Sequence, residues 1–414
     1  MKKQLQLFTL IFLTLFFFGC GGGAEQSVGG DETAGTTTGV TDTEIVIGSW
    51  GPLSGPAALW GNITKGMAAY FDLINEEGGI HGRKIKFVYK DDGYDPSKTV
   101  PIVRELVQRE EVFAFVGGIG TAPCMSVLDY IVEENIPWVS PITGATHWTI
   151  PFKKNVFGAL PYYFDEGEIQ ARYAIDSLGA TKVGIIYQND DVGKSGLIGA
   201  QTYMATKGMD FVAAVPTEVT DTDLSSQIAT LKASGAEVVL LWTLPRQAAI
   251  SLGASAASNF ETQWIASFIL ADMPLMHDIT KGLWEGVIFG VFGPNIYTMD
   301  NPRLQVYKDA IEKYQEGVRW GIFAYSGFAY AEPFVEGLKR AGKDLTREKL
   351  IEAMESIKDW TGTVNNITYG KDDHQALRSM FLAKCVGATE MDILTDYIEP
   401  QSDINAMVAK LHGE

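Results

Sequence analysis

Residues 45–101 hold the pattern that most restricts the fold: IVIGSWGPLSGPAALWGNITKGMAAYFDLINEEGGIHGRKIKFVYKDDGYDPSKTVP. A hydrophobic run, Ile45-Val46-Ile47, leads into a loop rich in Gly, Pro and Ser. Beyond the loop, Met67, Tyr70, Phe71 and Ile74 recur at helical spacing. The helix stops at Gly78-Gly79, and a second strand, Ile85 to Tyr89, ends on Asp91-Asp92. This is a β-loop-α-β unit, the kind that builds parallel sheets. Ligands of such open sheets sit at the carboxyl ends of the strands. The loop from Gly51 to Gly61 is therefore a candidate ligand loop.

The βα rhythm continues along the chain. Phe113-Ala-Phe-Val-Gly-Gly reads as a strand with a glycine turn, Ser126 to Val132 as a helix, and Ile136-Pro-Trp-Val-Ser-Pro as the next strand. A connection from Gly158 to Phe164 precedes a second series. Its strands are Lys182 to Tyr187, Phe211 to Val215, Val238 to Trp242 and Trp264 to Phe268, with Leu224 to Leu231 helical. Val287 to Phe292 reads as a crossing back, Phe323 to Ala341 as a long helix, and Thr361 to Tyr369 as a third crossing. The expected class is α/β, with two doubly wound βα lobes joined by three crossings. Lobe 1 takes residues 44–158 and 288–360, and lobe 2 takes 159–287 and 361–414.

The start of the chain reads as targeting rather than structure. Lys2 and Lys3 precede an apolar stretch, Leu7 to Phe18, too short to span a bilayer with ease. Phe18-Gly19-Cys20 then resembles the lipobox of bacterial lipoproteins, in which Cys20 would be diacylated as residues 1–20 are removed. An ordinary signal peptide with an incidental cysteine is the alternative. Residues 21–43 are mostly Gly, Ser, Thr, Ala and acids, which bury too little to fold, so they read as a flexible tether.

A net charge of −18 and the lack of basic blocks argue against nucleic acid. The five histidines show no metal spacing, so no metal is expected. No G-x-S-x-G elbow, P-loop or H-E-x-x-H occurs. Nothing pairs a nucleophile with a base, so no enzyme activity and no cofactor are expected.

GPLSGPAALWG, then INEEGGIHGRKI, then YKDDGYDPSKTV resemble the amino-terminal unit of the binding proteins of branched-chain amino acid ABC transporters. These are type I periplasmic binding proteins of Venus-flytrap form, and the resemblance runs from about residue 44 to near residue 385. It implies a monomeric receptor, outside the cytoplasm and held at the membrane by its lipid, that closes on a small molecule and hands it to an ABC permease. A sensing module that signals to a membrane partner is the alternative.

The resemblance also places a site. Trp60 falls where the family sets an aromatic residue on the ligand; packing on its own loop is the alternative. Thr121, with Ala122 beside it, falls where a hydroxyl and a backbone N–H hold a ligand carboxylate. A helix start favours an anion there, although a plain N-cap fits as well. Gly144, Ala145 and Thr146 match a small-residue turn, or Thr143 if the alignment slips by one. The second lobe departs from the pattern. Val192 and Leu244 stand where amino-acid binders usually show tyrosines, and Ile269 where they show the acid that pairs with the ammonium. A buried ammonium without a partner is costly. The expected ligand is thus a carboxylate, either an amino acid or an apolar or aromatic acid. Asp165, Asp191 or Asp272 would serve an amine, against the plainer reading as loop acids or caps, and His147 is a weaker contact candidate. The family's acidic turn implies a structural role for Asp91-Asp92. Its first-lobe disulfide has no upstream cysteine here, near Gly93 and Tyr94. Cys124 and Cys385 are expected as free thiols, with a bridge between them as the alternative.

Overall fold

Two largely parallel sheets organise the chain, in a computed structural model that describes residues 37–364 and 366–412. The lipidation residue Cys20, the signal segment and residues 21–36 lie outside the described residues. The first sheet holds β1 (Glu44–Gly51), β2 (Lys84–Asp91), β3 (Ala114–Val116), β4 (Trp138–Val139) and β5 (Val156–Phe157). Its order is β2-β1-β3-β4-β5, all parallel. Helices α1 (Gly61–Glu76), α2 (Pro96–Gln108) and α3 (Thr121–Glu133) make the crossovers. Asp95 starts α2 by accepting the Ser97 N–H, with Pro96 pre-set at the first helical position.

The second sheet holds β6 (Val183–Gln188), β7 (Ala213–Thr217), β8 (Val238–Trp242), β9 (Gln263–Ala266), β10 (Ile288–Val291), β11 (Phe381–Gly387) and β12 (Glu390–Ile393). Its order is β12-β11-β10-β9-β8-β6-β7, with β11 and β12 antiparallel to their neighbours. In this part of the chain are α4 (Tyr163–Arg172), α5 (Asp191–Thr206), α6 (Ser225–Ser234), α7 (Pro245–Ala257) and α8 (Met273–Ile279). The later helices are α9 (Pro302–Tyr314), α10 (Ile322–Ala341), α11 (Arg347–Glu355) and α12 (Ile404–His412). In each sheet the strand order reverses beside the first strand, between β1 and β3 and between β6 and β8. The carboxyl ends at these reversals are where ligands of such folds bind.

Helix α10 belongs to the first lobe. It crosses α1 where Gly66 meets Gly327; a side chain on either would overlap backbone of the other helix. Close backbone approach is the use of glycine here. Nearly all of α10 is buried.

Three boundaries differ from expectation. Strand β10 lies in the second sheet, with Ile288 paired to Ile265 and Val291 to Phe381, so the return to lobe 1 starts after Val291. Residues 361–373 stay with lobe 1: Trp360 pairs with Ile367, and the Tyr369 N–H donates to the Ile357 carbonyl. The third crossing is instead at His374 to Arg378, where Gly158 and Gln375 bridge the first and third crossings side by side. Residues 37–43 are not tether. Val40 bridges Ile45, and the Thr37 hydroxyl donates to the Leu345 carbonyl at 3.0 Å. Small polar residues gave no sequence signal for this backbone pairing.

Candidate ligand-binding cleft

The loop after β1 is pinned from β2. Asp91 Oδ1 accepts the N–H groups of Leu53, Ser54 and Gly93 at 2.9, 3.2 and 2.9 Å. Asp92 accepts the Tyr94 N–H at 2.9 Å and the Thr99 hydroxyl at 2.9 Å. The acidic pair is spent on loop donors. The held loop ends in a short helical turn, Ala58–Trp60. From it the Trp60 indole N–H reaches across the lobes to the Ile269 carbonyl at 3.2 Å.

Beside this bond lies a cavity of about 70 Å³. Lobe 1 lines it with Trp60, Ile63, Tyr94, Ile119, Gly120 and Ile142. Helix α10 adds Ile322, Tyr325, Ser326, Ala329 and Tyr330, one stripe at i, i+3, i+4, i+7 and i+8. Lobe 2 contributes Tyr163, Val192, Phe268 and Ile269, and the second crossing contributes Val291 to Gly293. No charged side chain lines it. Apolar walls with a few polar groups are typical of small-molecule sites.

Of the residues expected to touch ligand, Trp60, Val192 and Ile269 line this cavity together. Thr121, Ala122, Gly144, Ala145, Thr146 and Leu244 do not. Thr121 opens α3 one residue beyond the cavity-lining Gly120, which takes the cap position. Its hydroxyl bonds the Thr143 hydroxyl at 2.6 Å. Ala122 is exposed, on the far side of the helix start. The Gly144 carbonyl accepts the Tyr163 N–H at 2.8 Å, and the Tyr163 ring packs where a side chain at 144 would be. Ala145 packs into the core on the other side of the first sheet. Thr146 and His147 belong to a short helical turn outside the cavity lining. Leu244 is buried as the residue before α7, where Pro245 turns its side chain into the lobe core. Thr143, Thr121, the Gly144 N–H and the Tyr163 hydroxyl still form one polar corner. The Tyr163 phenol, buried beside Gly144 and Thr143, is pushed up to about 12.

None of the acids considered for an amine lines the cavity. Asp165 is buried in a two-pronged pair with Arg378, at 2.9 Å for each contact. Burial outweighs that guanidinium and pushes it up to about 6. Asp191 is the first residue of α5, whose cap is Asp190. Asp272 caps α8 through the Leu275 N–H at 3.2 Å and also accepts the Phe323 N–H of α10 at 2.9 Å. A different acid lies closer behind the wall. Glu166 accepts from Ser267 Oγ and the Phe268 N–H, each at 2.6 Å, and from Gln170 Nε2 at 3.1 Å. A Cβ on the cavity-lining Gly290 would sit 2.7 Å from Glu166 Oε1. Burial outweighs the three donors and pushes Glu166 up to about 8. No sequence motif singles out Glu166, Tyr163 or the α10 stripe; the aromatic residues between Phe323 and Tyr330 are the signal the sequence offers.

The periplasmic binding protein family model matches residues 44–390. The chain belongs to that family. This periplasmic binding protein is 26% identical over 340 residues to Leu/Ile/Val-binding protein homolog 3 of Brucella melitensis, covering 79% of this chain and 88% of the relative. Among solved structures it is similar to a fatty acid ABC transporter substrate-binding protein from Thermomonospora curvata, with TM-score 0.78, 26% identity and coverage of 88% and 95%. A branched-chain amino acid ABC transporter protein from Thermus thermophilus with bound valine shares the fold, with TM-score 0.78, 17% identity and coverage of 91% and 100%. The type I fold read from the sequence is the fold of these structures. Cys124 and Cys385 are free and buried. Among the described residues no helix is long and apolar enough to cross a membrane.

Proposed function

We propose that this periplasmic binding protein is the receptor of an ABC importer for a small acid with an apolar body. The observation that carries this is the wall of the cavity: aromatic and aliphatic side chains from both lobes, and no ionised group to meet an ammonium. The Thr121–Thr143 corner, next to the cavity-lining Gly120, would offer hydroxyl and N–H donors to a carboxylate. Apolar surface of the ligand gains about 25 cal/mol for each Å² it buries. The ligand docks on lobe 1, lobe 2 closes over it, and the permease reads the closed form. Lipid on Cys20 would hold the receptor outside the cytoplasm at the membrane. Binding needs no covalent step. The similarity to a protein named for fatty acid transport supports an apolar acid. A thermal-shift screen of α-amino acids, aromatic acids and aliphatic acids tests the reading. Apolar acids should raise the melting temperature most; a response confined to α-amino acids would overturn it.

A further inference from the structure

Tyr94 is the cleft residue that the fold does least to explain. Its backbone sits at φ 65°, in the left-handed region where a bulky side chain is an outlier. Such conformations persist only where the surroundings over-determine them, and they gather at ligand sites. Here Asp92 holds the Tyr94 N–H at 2.9 Å and is itself held by the Thr99 hydroxyl. The ring lies over Gly120, where any side chain would overlap it. Its edge meets Trp60, with centroids 5.7 Å apart and planes at 61°. The ring thus lines the cavity next to the start of α3.

The hydroxyl is the unexplained part. It is buried, no well-formed hydrogen bond reaches it, and its polar neighbour across the lobes is the Gln188 side chain. A buried polar group left unpaired is costly, so natural structures rarely keep one without a use. Across the lobes, Gln188 donates its amide to Asp190 and leaves its own Oε1 unpaired. Burial, reinforced by Asp190, pushes the Tyr94 phenol upward. It is therefore a neutral proton donor throughout the physiological range.

We propose that Tyr94 is a specificity-determining residue of the cleft, whose phenol O–H donates to an acceptor oxygen on the head of the ligand. This rests on the cleft being the ligand site. The position over Gly120, one residue from Thr121, puts the phenol beside the corner offered to a carboxylate. Tyr94→Phe keeps the ring and removes only the donor.

Calorimetric titration of the full chain with octanoate tests this. The Phe variant should bind about tenfold more weakly than the parent. Its melting temperature without ligand should be unchanged or higher, because the hydroxyl makes no well-formed bond within the fold. Equal octanoate affinity would overturn the assignment. So would a drop in the unliganded melting temperature, which would mean that the hydroxyl serves the fold by pairing with Gln188. If the parent binds leucine and not octanoate, the proposed ligand class fails separately. The same loss is then expected with leucine, and equal leucine affinity overturns the assignment.

Discussion

Asp272 Oδ2 accepts the Phe323 N–H at 2.9 Å, so a carboxylate of lobe 2 caps a helix of lobe 1. Its other oxygen accepts the Leu275 N–H at 3.2 Å at the start of its own helix. Each helix start leaves N–H groups without partners inside the helix and prefers a negative charge. One side chain meets that need on both sides of the cleft. Together with the Trp60–Ile269 bond, it fastens the segment from Phe268 to Asp272 to lobe 1. The tight space leaves Gly321 no side chain, because a Cβ there would lie 2.5 Å from Asp272 Oδ2.

Replacing Asp272 by Ala should therefore loosen closure. Each buried N–H left unpaired costs about 1–3 kcal/mol. Once the lobes part, water can take the Phe323 N–H, so the penalty favours the open form. Small-angle scattering of the unliganded chain should show a larger radius of gyration for Asp272→Ala than for the parent. Identical radii would mean that the bond does not bias the lobes.

Glu166 gives a pH dependence whose sign is fixed. Its pKa rises from 4.5 to about 8 on folding. The native chain then keeps a proton that the unfolded chain releases. Its contribution to stability is fully present below about 4.5 and is lost as pH rises through about 8, at up to about 1.4 kcal/mol per pH unit. Glu166→Gln removes this term and keeps the shape, with its amide donating to the Ser267 hydroxyl. Melting temperature measured from about pH 5 to pH 8 should fall more steeply in the parent than in the variant. Parallel profiles would show that Glu166 is ionised in the fold.

Local chemistry made the first lobe legible. The strand, the Gly-Pro-Ser loop and the helix lie in one short stretch, and glycine stops mark the ends. Trp60 in that stretch, and Val192 and Ile269 in the second lobe, came from the family resemblance, and all three line the cavity. Strand β10 was misplaced because a buried strand reads the same whichever sheet receives it. Leu244 was misplaced because Pro245 sets the direction of the preceding residue, which residue type alone does not reveal. Tyr163, Tyr94 and the α10 stripe enter the cleft from segments far apart in sequence. Their contribution depends on how the crossings and helices pack, and short-range periodicity carries no record of that.

The wall at Ile269 should discriminate against amines. The parent is expected to bind 4-methylpentanoate more tightly than leucine, which carries the same branched tail and an added ammonium. Ile269→Glu places a carboxylate on the cavity wall and should reverse the order, since a buried ammonium then has a partner. Competition calorimetry with the two ligands measures both orders. Tight leucine binding by the parent, with no binding of the deaminated acid, would show that the cleft already recognises the ammonium through a group not identified above.

Attachment should be separable from recognition. If Cys20 carries the lipid, Cys20→Ser should move the protein from the membrane fraction to the soluble fraction with ligand affinity unchanged. Mass spectrometry of the parent should find an acylated amino terminus at Cys20. An unmodified terminus elsewhere would show that the segment is an ordinary signal peptide.

The polar corner should make the sharpest demand on the ligand. Thr121 and Thr143 bond each other at 2.6 Å, and Thr143 Oγ1 also accepts the Ala145 N–H at 3.2 Å. Two hydroxyls joined by one hydrogen bond use one proton between them, so the second serves the Tyr163 phenol or an incoming oxygen. The start of α3 adds N–H groups and its positive end. Thr121→Ala removes one hydroxyl and leaves the helix start in place. Losing a hydrogen bond to a charged group costs roughly 1.5–3 kcal/mol, so octanoate should bind about ten- to a hundredfold more weakly. Octanamide, with the same chain and a neutral head, should lose less, because hydrogen bonds between neutral groups contribute roughly 0.5–1.5 kcal/mol. Titration of parent and variant with both compounds separates charge recognition from packing. An equal loss for acid and amide would assign Thr121 to shape alone. Unchanged affinity for both would leave it with no role beyond the start of α3 and its bond to Thr143.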